Sequence, residues 1–324
     1  MRNIDQTWQS ISLFFSASST QKYLHSCYAK QSIPNSELYS FQNCTTFMHY
    51  LEFSKMYYEQ ASHSPIATRP VLLFYGYIQL LKACLLSIDP HYPNSTTLLA
   101  HGVTSRKKKK QQYDFLSDEI KTQRNGLFSY AAQKIFNLKQ VEGEKISMHD
   151  LFYQLPELNE EFFYFKTINS FPLNLVSGNV YEMDNKILDA YHLSSNSFAS
   201  YLNRTIFSYV KINVVNEYLQ LKTDQPLTTN YHSPIRYSIL TNSYNIMKKN
   251  NSPCSFYGEM LIHYLLLYNL SMISRYETEW WLDLIKTTPN EDYPFIKKFL
   301  DITQEKTPYL IKQWLFVERD FLFS

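Results

Sequence analysis

Glycine is scarce in this sequence: the chain of 324 residues contains 6. An average composition would supply about 22 in the same length. The shortage excludes collagen-like folds and disfavours glycine-rich nucleotide-binding loops. The motifs of P-loop, dinucleotide-binding, serine-hydrolase and HExxH zinc enzymes are also absent. The sequence therefore favours a binding protein over an enzyme and predicts no cofactor.

Cysteine is sparse as well, and its spacing excludes a zinc ribbon or a redox dithiol. We expect reduced, buried thiols and no metal site; the cysteines are Cys27, Cys44, Cys84 and Cys254. The stretch from Met1 to Ser19 contains no apolar core long enough for a secretory signal. Reduced thiols and the missing signal together predict a cytoplasmic protein.

Long, purely apolar runs are missing too. The two most apolar stretches, Val71–Ile88 and Met260–Ser274, are interrupted by Lys82 and His263 among other polar residues. Neither reaches the ~20 apolar residues that a bilayer crossing requires. We predict a buried helix at each place and no interaction with a membrane.

Large side chains, in contrast, are abundant, with 27 Tyr, 22 Phe and 4 Trp. Apolar residues recur at helical spacing in the first half of the chain and again after Pro253, whereas the region between favours β-branched and aromatic residues. We predict a mainly α (α+β) protein, a bundle of long buried helices with a small β-containing insert. The segments are 1–165, a helical region with a basic loop at 101–124; 166–252, the insert; and 253–324, helices that pack back on the N-terminal ones.

Particular helix limits follow from the prolines. Pro70 suits the first turn of a helix and Pro90 ends it, so we predict a helix between them. In the C-terminal segment we predict one helix over Phe256–Lys286, a shorter one after Pro294, and another over Pro308–Phe321.

Positive charge is concentrated in one segment. Residues 101–124 contain seven basic and three acidic residues, a net charge of +4, which leaves −2 for the rest of the chain. Affinity for polyanions should therefore reside in this segment. The candidate ligand-binding residues here are His101, Arg106, Lys107, Lys108, Lys109, Lys110, Lys121 and Arg124.

The basic run has two interpretations. Arginine offers a bidentate fork for phosphate oxygens, and lysines offer point charges. A charge run can also simply keep a loop solvated. Lys121 and Arg124 would share one side of a helix that begins near Asp118 and Glu119, which is typical of an ordinary stable helix.

Two further candidates for anion binding, His63 and Arg69, bracket a proline-containing turn. A histidine there could titrate near neutral pH. Pairing with a carboxylate is nevertheless the commoner outcome for an arginine at the start of a buried helix. In the C-terminal segment, His263 fits a satisfied core histidine, and Arg275 and Glu279 fit a helical i,i+4 pair.

Four sequence blocks resemble the YaaC-like family of Bacillus-type bacteria. They are RPVLLFYGYIQLLKACLL (69–86), DPHYPNSTTLLAHGVTSRKKKKQQYDFL (89–116), DEIKTQRNGLF (118–128) and HYLLLYNLSMISRYETEWW (263–281). The likeness spans nearly the whole chain and implies a cytosolic bacterial protein of a single architecture, with no reaction to carry over to residues here. A weaker likeness is to HEPN-type helical proteins, whose nucleases carry an R-x4–6-H motif that this sequence lacks.

These features lead to three hypotheses about function. The first is the binding of a phosphate-bearing ligand, a nucleotide or nucleic acid, through the basic segment together with His63 and Arg69. The alternative is a protein–protein interaction module whose basic loop contacts an acidic partner. A third, weaker hypothesis is an enzyme that acts on RNA or nucleotides, with His63, His101 and Glu119 brought together by the fold.

Overall fold

The computed structural model describes residues 2–106, 114–206, 209–227 and 234–318. These residues form mostly helices with a smaller share of antiparallel strands, which confirms a mainly α (α+β) protein. The helices are α1 Arg2–Ile11, α2 Ala17–Lys30, α3 Ser36–His63, α4 Arg69–Leu86, α5 Leu127–Phe136, α6 Met148–Phe152, α7 Asn159–Tyr164, α8 Ile187–Tyr191, α9 Ser195–Thr205, α10 Glu259–Tyr276, α11 Thr278–Thr287 and α12 Asp292–Gln313. The strands are β1 Val103–Arg106, β2 Glu119–Thr122, β3 Lys145–Ser147, β4 Ser170–Ser177, β5 Val180–Asp184, β6 Val210–Val215, β7 Tyr218–Thr223, β8 Ile235–Ser238 and β9 Ser243–Met247.

The chain divides into two compact units. Unit 1 comprises Met1–Tyr113, Glu119–Lys145 and His263–Ser324, and unit 2 comprises Asp114–Asp118 and Ile146–Ile262. The insert predicted from the sequence covered 166–252, so unit 2 contains that insert together with flanking residues on both sides.

In unit 1, α3 packs closely against α4. A Cβ atom at Gly76 would lie 2.9 Å from the Tyr57 Cβ atom and 2.9 Å from the Tyr58 ring, so the contact requires a residue without a side chain. The predicted limits of α4 agree with the structure, since the helix begins at Arg69, directly before Pro70, and ends at Leu86. Among the described residues, α4 alone has the length and apolar composition of a membrane span, and 67% of it is buried inside the protein, as in the core helix of a soluble protein.

The C-terminal helices differ from their predicted limits. The single helix expected over Phe256–Lys286 is two, because the backbone leaves helical geometry at Glu277, where φ is −123° and ψ is 46°. The break expected at Pro308 does not occur, and α12 continues through it. Proline removes one backbone donor from a helix, but the buried side chains on both sides of Pro308 hold the helix together.

Unit 2 is built around a six-stranded antiparallel sheet with the strand order β6-β7-β5-β4-β9-β8. Strong β-formers in this part of the sequence explain the sheet. One face of the sheet packs against α8 and α9, where Leu219, Leu221, Phe198 and Leu202 are all fully buried. The sequence predicted the strands but not these two short helices.

The segment that begins at Asp118 is a strand rather than the predicted helix. Residues 103–106 of β1 pair antiparallel with residues 119–122 of β2, and Thr104 lies opposite Lys121. Acidic residues followed by basic ones, as at Asp118 and Lys121, occur both at the start of a helix and along the exposed edge of a hairpin. The charge pattern alone therefore does not distinguish a helix from a strand. The helix begins only at Leu127.

Candidate functional site

The predicted site residues lie at several places in unit 1. Lys107, Lys108, Lys109 and Lys110 fall outside the described residues, and Arg106 ends β1 in backbone register with Glu119. Lys121 and Arg124 are exposed. His63, at the end of α3, is also exposed, and its Nδ1 atom lies 2.9 Å from the carbonyl oxygen of Glu59 on the same helix.

Arg69 has a structural partner. Its guanidinium lies 2.8 Å from the Asp301 carboxylate on α12, and its Nε atom donates to the side-chain oxygen of Gln304 at 3.1 Å. These contacts join the start of α4 to α12. Pairing of this kind is the outcome that the sequence suggested as commoner.

His101 is the predicted candidate that the fold positions most firmly. Its carbonyl oxygen accepts one hydrogen bond from the Tyr264 hydroxyl at 2.9 Å and another from the Phe128 backbone at 3.2 Å. The imidazole lies 5.1 Å from the Phe74 ring and 5.5 Å from the Tyr268 ring. The buried Nδ1 atom of this imidazole has no hydrogen-bond partner in the described structure.

A close backbone contact holds His101 in this place. Gly102 follows it directly, and a Cβ atom at Gly126 would lie 2.4 Å from the backbone of Gly102. The φ angle of Gly126, +126°, is also open only to glycine. The two glycines therefore bring the start of β1 against the start of α5, where Leu127 donates to the carbonyl oxygen of Ala100 at 2.7 Å.

Arg275, near the end of α10, is close enough to His101 for its charge to lower the pKa of the imidazole. Its guanidinium donates to the Tyr75 hydroxyl at 3.1 Å and to the Ser271 carbonyl oxygen at 3.0 Å, and it lies over the rings of Tyr75 and Tyr276 at 5.7 and 5.2 Å. The helical pair with Glu279 does not form, because α10 ends before that residue. No carboxylate of the described chain forms an ion pair with this half-buried guanidinium.

Lys82 of α4 is the third basic group at this place. Its ammonium lies 5.7 Å from the centre of the Tyr50 ring, and burial lowers its pKa. No carboxylate in the described ranges pairs with it either. Lys82, His101 and Arg275 are called the cationic cluster below.

The electrostatics of the cationic cluster act in one direction. Burial, then Arg275, then Lys82 lower the pKa of His101, and within the described ranges no acidic group counters them. Desolvation and like charges both disfavour the imidazolium form. His101 is therefore neutral at pH 7 and sits beside two groups that carry positive charge.

Tyrosine hydroxyls surround the cationic cluster. Burial raises the pKa of Tyr268, and the charge of Arg275 and the backbone of Ser105 act in the opposite direction. Tyr92 is 5% exposed, its pKa is raised by burial and by Tyr50, and its buried hydroxyl has no hydrogen-bond partner among the residues described. Buried polar atoms are normally satisfied, so orphaned atoms on both Tyr92 and His101 need an explanation.

Sequence reasoning missed Lys82 and Arg275 as members of the site. Lys82 lies inside the apolar helix α4, whereas Arg275 is the last residue but one of α10, which also contains Glu259, His263 and Asn269. A lone cation deep within a buried helix is the signal that could have identified Lys82, and no comparable signal marks Arg275. Within the described residues, no group of three or more His, Cys, Asp or Glu side chains could hold a metal ion.

Comparison with known proteins places the chain in one family. Neither the curated proteins nor the solved structures include a match to it. The family described as YaaC-like Protein matches residues 12–315, which is nearly the whole chain and includes every member of the cationic cluster. The chain therefore belongs to the YaaC-like protein family.

Proposed function

We propose that unit 1 binds a phosphate-bearing ligand, a nucleotide, at the cationic cluster. The observation that supports this proposal is the gathering of Lys82, His101 and Arg275 without a carboxylate among the described residues to offset their charge. Basic groups that are partly removed from water destabilise a fold unless they are paired. A bound phosphate would supply the missing negative charge.

The orphaned polar atoms support the same proposal. An imidazole nitrogen and a phenol hydroxyl can both donate hydrogen bonds to phosphate oxygens. The His101 Nδ1 atom and the Tyr92 hydroxyl are available for this role. Tyr264 links the two residues. Its hydroxyl donates a hydrogen bond to the carbonyl oxygen of His101, and Tyr92 is among the groups that, after burial, raise the pKa of Tyr264.

Aromatic rings favour a nucleotide over inorganic phosphate. Tyr57 stacks on Tyr75 with ring centres 6.3 Å apart, and the Arg275 guanidinium lies over the ring of Tyr75 and over that of Tyr276. Tyr276 is 60% exposed, so one face of this arrangement is open to a flat ligand. A nucleobase could stack there while its phosphates reach the cationic cluster.

The basic segment begins at the same place. The strand β1 begins shortly after His101, and the backbone of Ser105 within it is close enough to Tyr268 to lower the pKa of that phenol. Arg106 and the four lysines come next in the sequence, although the lysines lie outside the described residues. We propose that they add phosphate contacts to the same ligand in a cytoplasmic protein.

Isothermal titration calorimetry with ADP tests the proposal. Lys82→Met removes the ammonium but keeps the length of the side chain, and charge-assisted hydrogen bonds are worth roughly 1.5–3 kcal/mol, so we expect at least a tenfold loss of affinity. Lys55→Met is the matched control, because Lys55 also lies over a ring, that of Phe15 at 5.9 Å, but pairs with Glu59. Equal affinity of both variants for ADP, or no binding by the wild type, would refute the proposal.

A further inference from the structure

Unit 2 carries two surface clefts that differ from the cationic cluster in composition. The first, of about 520 Å³, is lined by Tyr191, Leu193, Asn196, Ser197, Ser200, Tyr201, Arg204 and Lys249. The second, of about 430 Å³, is lined by Phe163, Lys166, Thr167, Ile168 and Lys248. Lys248 and Lys249 are consecutive residues, so the backbone that follows β9 joins one cleft to the other.

The charged side chains in both clefts are all basic. Lys166, Arg204 and Lys249 are exposed and Lys248 is half-buried. In the described part of the chain none of the four forms an ion pair with a carboxylate. The Arg204 Nε atom donates to the carbonyl oxygen of Ser200 at 3.2 Å. This hydrogen bond does not use the two outer nitrogens of the guanidinium, which can donate to a ligand.

Exposed aromatic rings lie beside the second cleft. Phe163 and Tyr164, at the end of α7, are 70% and 80% exposed. Tyr164 contacts the Phe165 ring edge-on at 5.3 Å between ring centres. Lys166 follows directly and adopts a left-handed conformation with a φ angle of 58°. Contiguous exposed apolar surface of this kind is typical of an interaction site.

We propose that this surface of unit 2 binds single-stranded nucleic acid. Basic side chains that follow a phosphate backbone, together with exposed rings on which bases stack, are the general means by which proteins bind single strands. The four cations would contact phosphates, and Phe163 and Tyr164 would stack on bases. The hydroxyl and amide groups along α9, at Asn196, Ser197 and Ser200, would donate to or accept from the bases and the backbone.

The polar lining favours nucleic acid over a membrane surface. A membrane-binding face presents a continuous apolar strip flanked by cations. Here the two exposed rings lie together at the end of α7, and the polar groups of Asn196, Ser200 and Arg204 interrupt the apolar lining of the larger cleft. This surface is independent of the cationic cluster, which lies entirely in unit 1.

Fluorescence anisotropy with a labelled 12-nucleotide oligouridylate tests the inference on the full chain. Each phosphate of a single strand that a cation neutralises makes the slope of log affinity against log salt steeper by ~0.7. Lys248→Gln/Lys249→Gln should therefore make the slope shallower by about 1.4 and weaken binding. Phe163→Ala should weaken binding roughly tenfold, because one stacked base is lost. This residue is exposed, so we expect the thermal unfolding of the variant to match the wild type.

Two matched controls complete the experiment. Lys211→Gln/Lys222→Gln removes the same charge from an exposed cross-strand pair elsewhere in unit 2 and should leave affinity within about twofold. Excess ADP, which occupies the cationic cluster under the proposed function, should leave the effect of Lys248→Gln/Lys249→Gln on oligouridylate affinity unchanged, which separates this inference from the proposed function. Equal losses in the two lysine double variants, no binding by the wild type, or binding to phosphatidylglycerol vesicles in place of the oligonucleotide would overturn the inference.

Discussion

Replacing Gly126 with alanine should destabilise unit 1 and displace His101. The new Cβ atom would lie 2.4 Å from the Gly102 backbone and 2.9 Å from the Ala100 carbonyl oxygen, and backbone atoms cannot move aside as a flexible side chain can. A non-glycine residue at a φ angle of +126° adds strain. Strain of roughly 1–3 kcal/mol and overpacking of a similar size predict a loss of about 4 kcal/mol in the free energy of unfolding.

Gly143→Ala is the matched control for this prediction. Its φ angle is +78°, but a Cβ atom there would meet nothing within 4 Å, so only backbone strain of about 1 kcal/mol is expected. Urea unfolding followed by tryptophan fluorescence is the assay, because all 4 tryptophans lie in the sequence ranges of unit 1. If Gly126→Ala lowers the free energy of unfolding by no more than Gly143→Ala does, the close backbone contact that positions His101 is refuted.

Three further predictions concern individual side chains. Arg69→Met should lower the unfolding free energy by about 1 kcal/mol through loss of the Asp301 pair, yet leave ADP affinity unchanged in calorimetry; loss of binding would instead place Arg69 in the site. Burial raises the pKa of Cys254 to about 12, and all the cysteines are buried, so a thiol reagent at pH 8 should react only after urea is added; a rapid reaction in the native protein would contradict this burial. In an NMR titration His101 should take up its proton at lower pH than a free histidine, so that the fold loses stability as the pH falls below about 6.5, and Arg275→Gln should raise this pKa. An unchanged titration in that variant would mean that the guanidinium does not act on the imidazole.

The fold could be predicted from the sequence wherever local chemistry and packing agree. The prolines at 70 and 90 bracket α4, and the β-branched residues of the insert form the sheet of unit 2. The prediction was wrong where tertiary packing overrides local preference. Pro308 lies inside α12, and Glu119 and Lys121 form a strand because β1 is available as a partner.

The candidate site could be predicted only in part. Residues 101–124 were identified by charge, and of these His101 is electrostatically coupled to Lys82 and Arg275. Lys82 and Arg275 are 193 positions apart in the sequence, and only the packing of α4 against α10 near His101 brings both close to the same imidazole. Spacing in a sequence carries no information about such a contact. The lack of a carboxylate beside these groups among the described residues, on which the proposal depends, is visible only in three dimensions.

Thermal unfolding of the wild type and of Lys82→Met, each with and without ADP, tests the nucleotide site most directly. Burial lowers the pKa of Lys82 because it disfavours the charged ammonium, so this group costs the fold stability when no anion is bound beside it. We predict that Lys82→Met melts no lower than the wild type in the absence of ligand, and that ADP stabilises the wild type alone, by about 2.7 kcal/mol at a hundredfold excess over Kd. A variant that melts lower but responds to ADP like the wild type would show that Lys82 supports the fold and binds no phosphate.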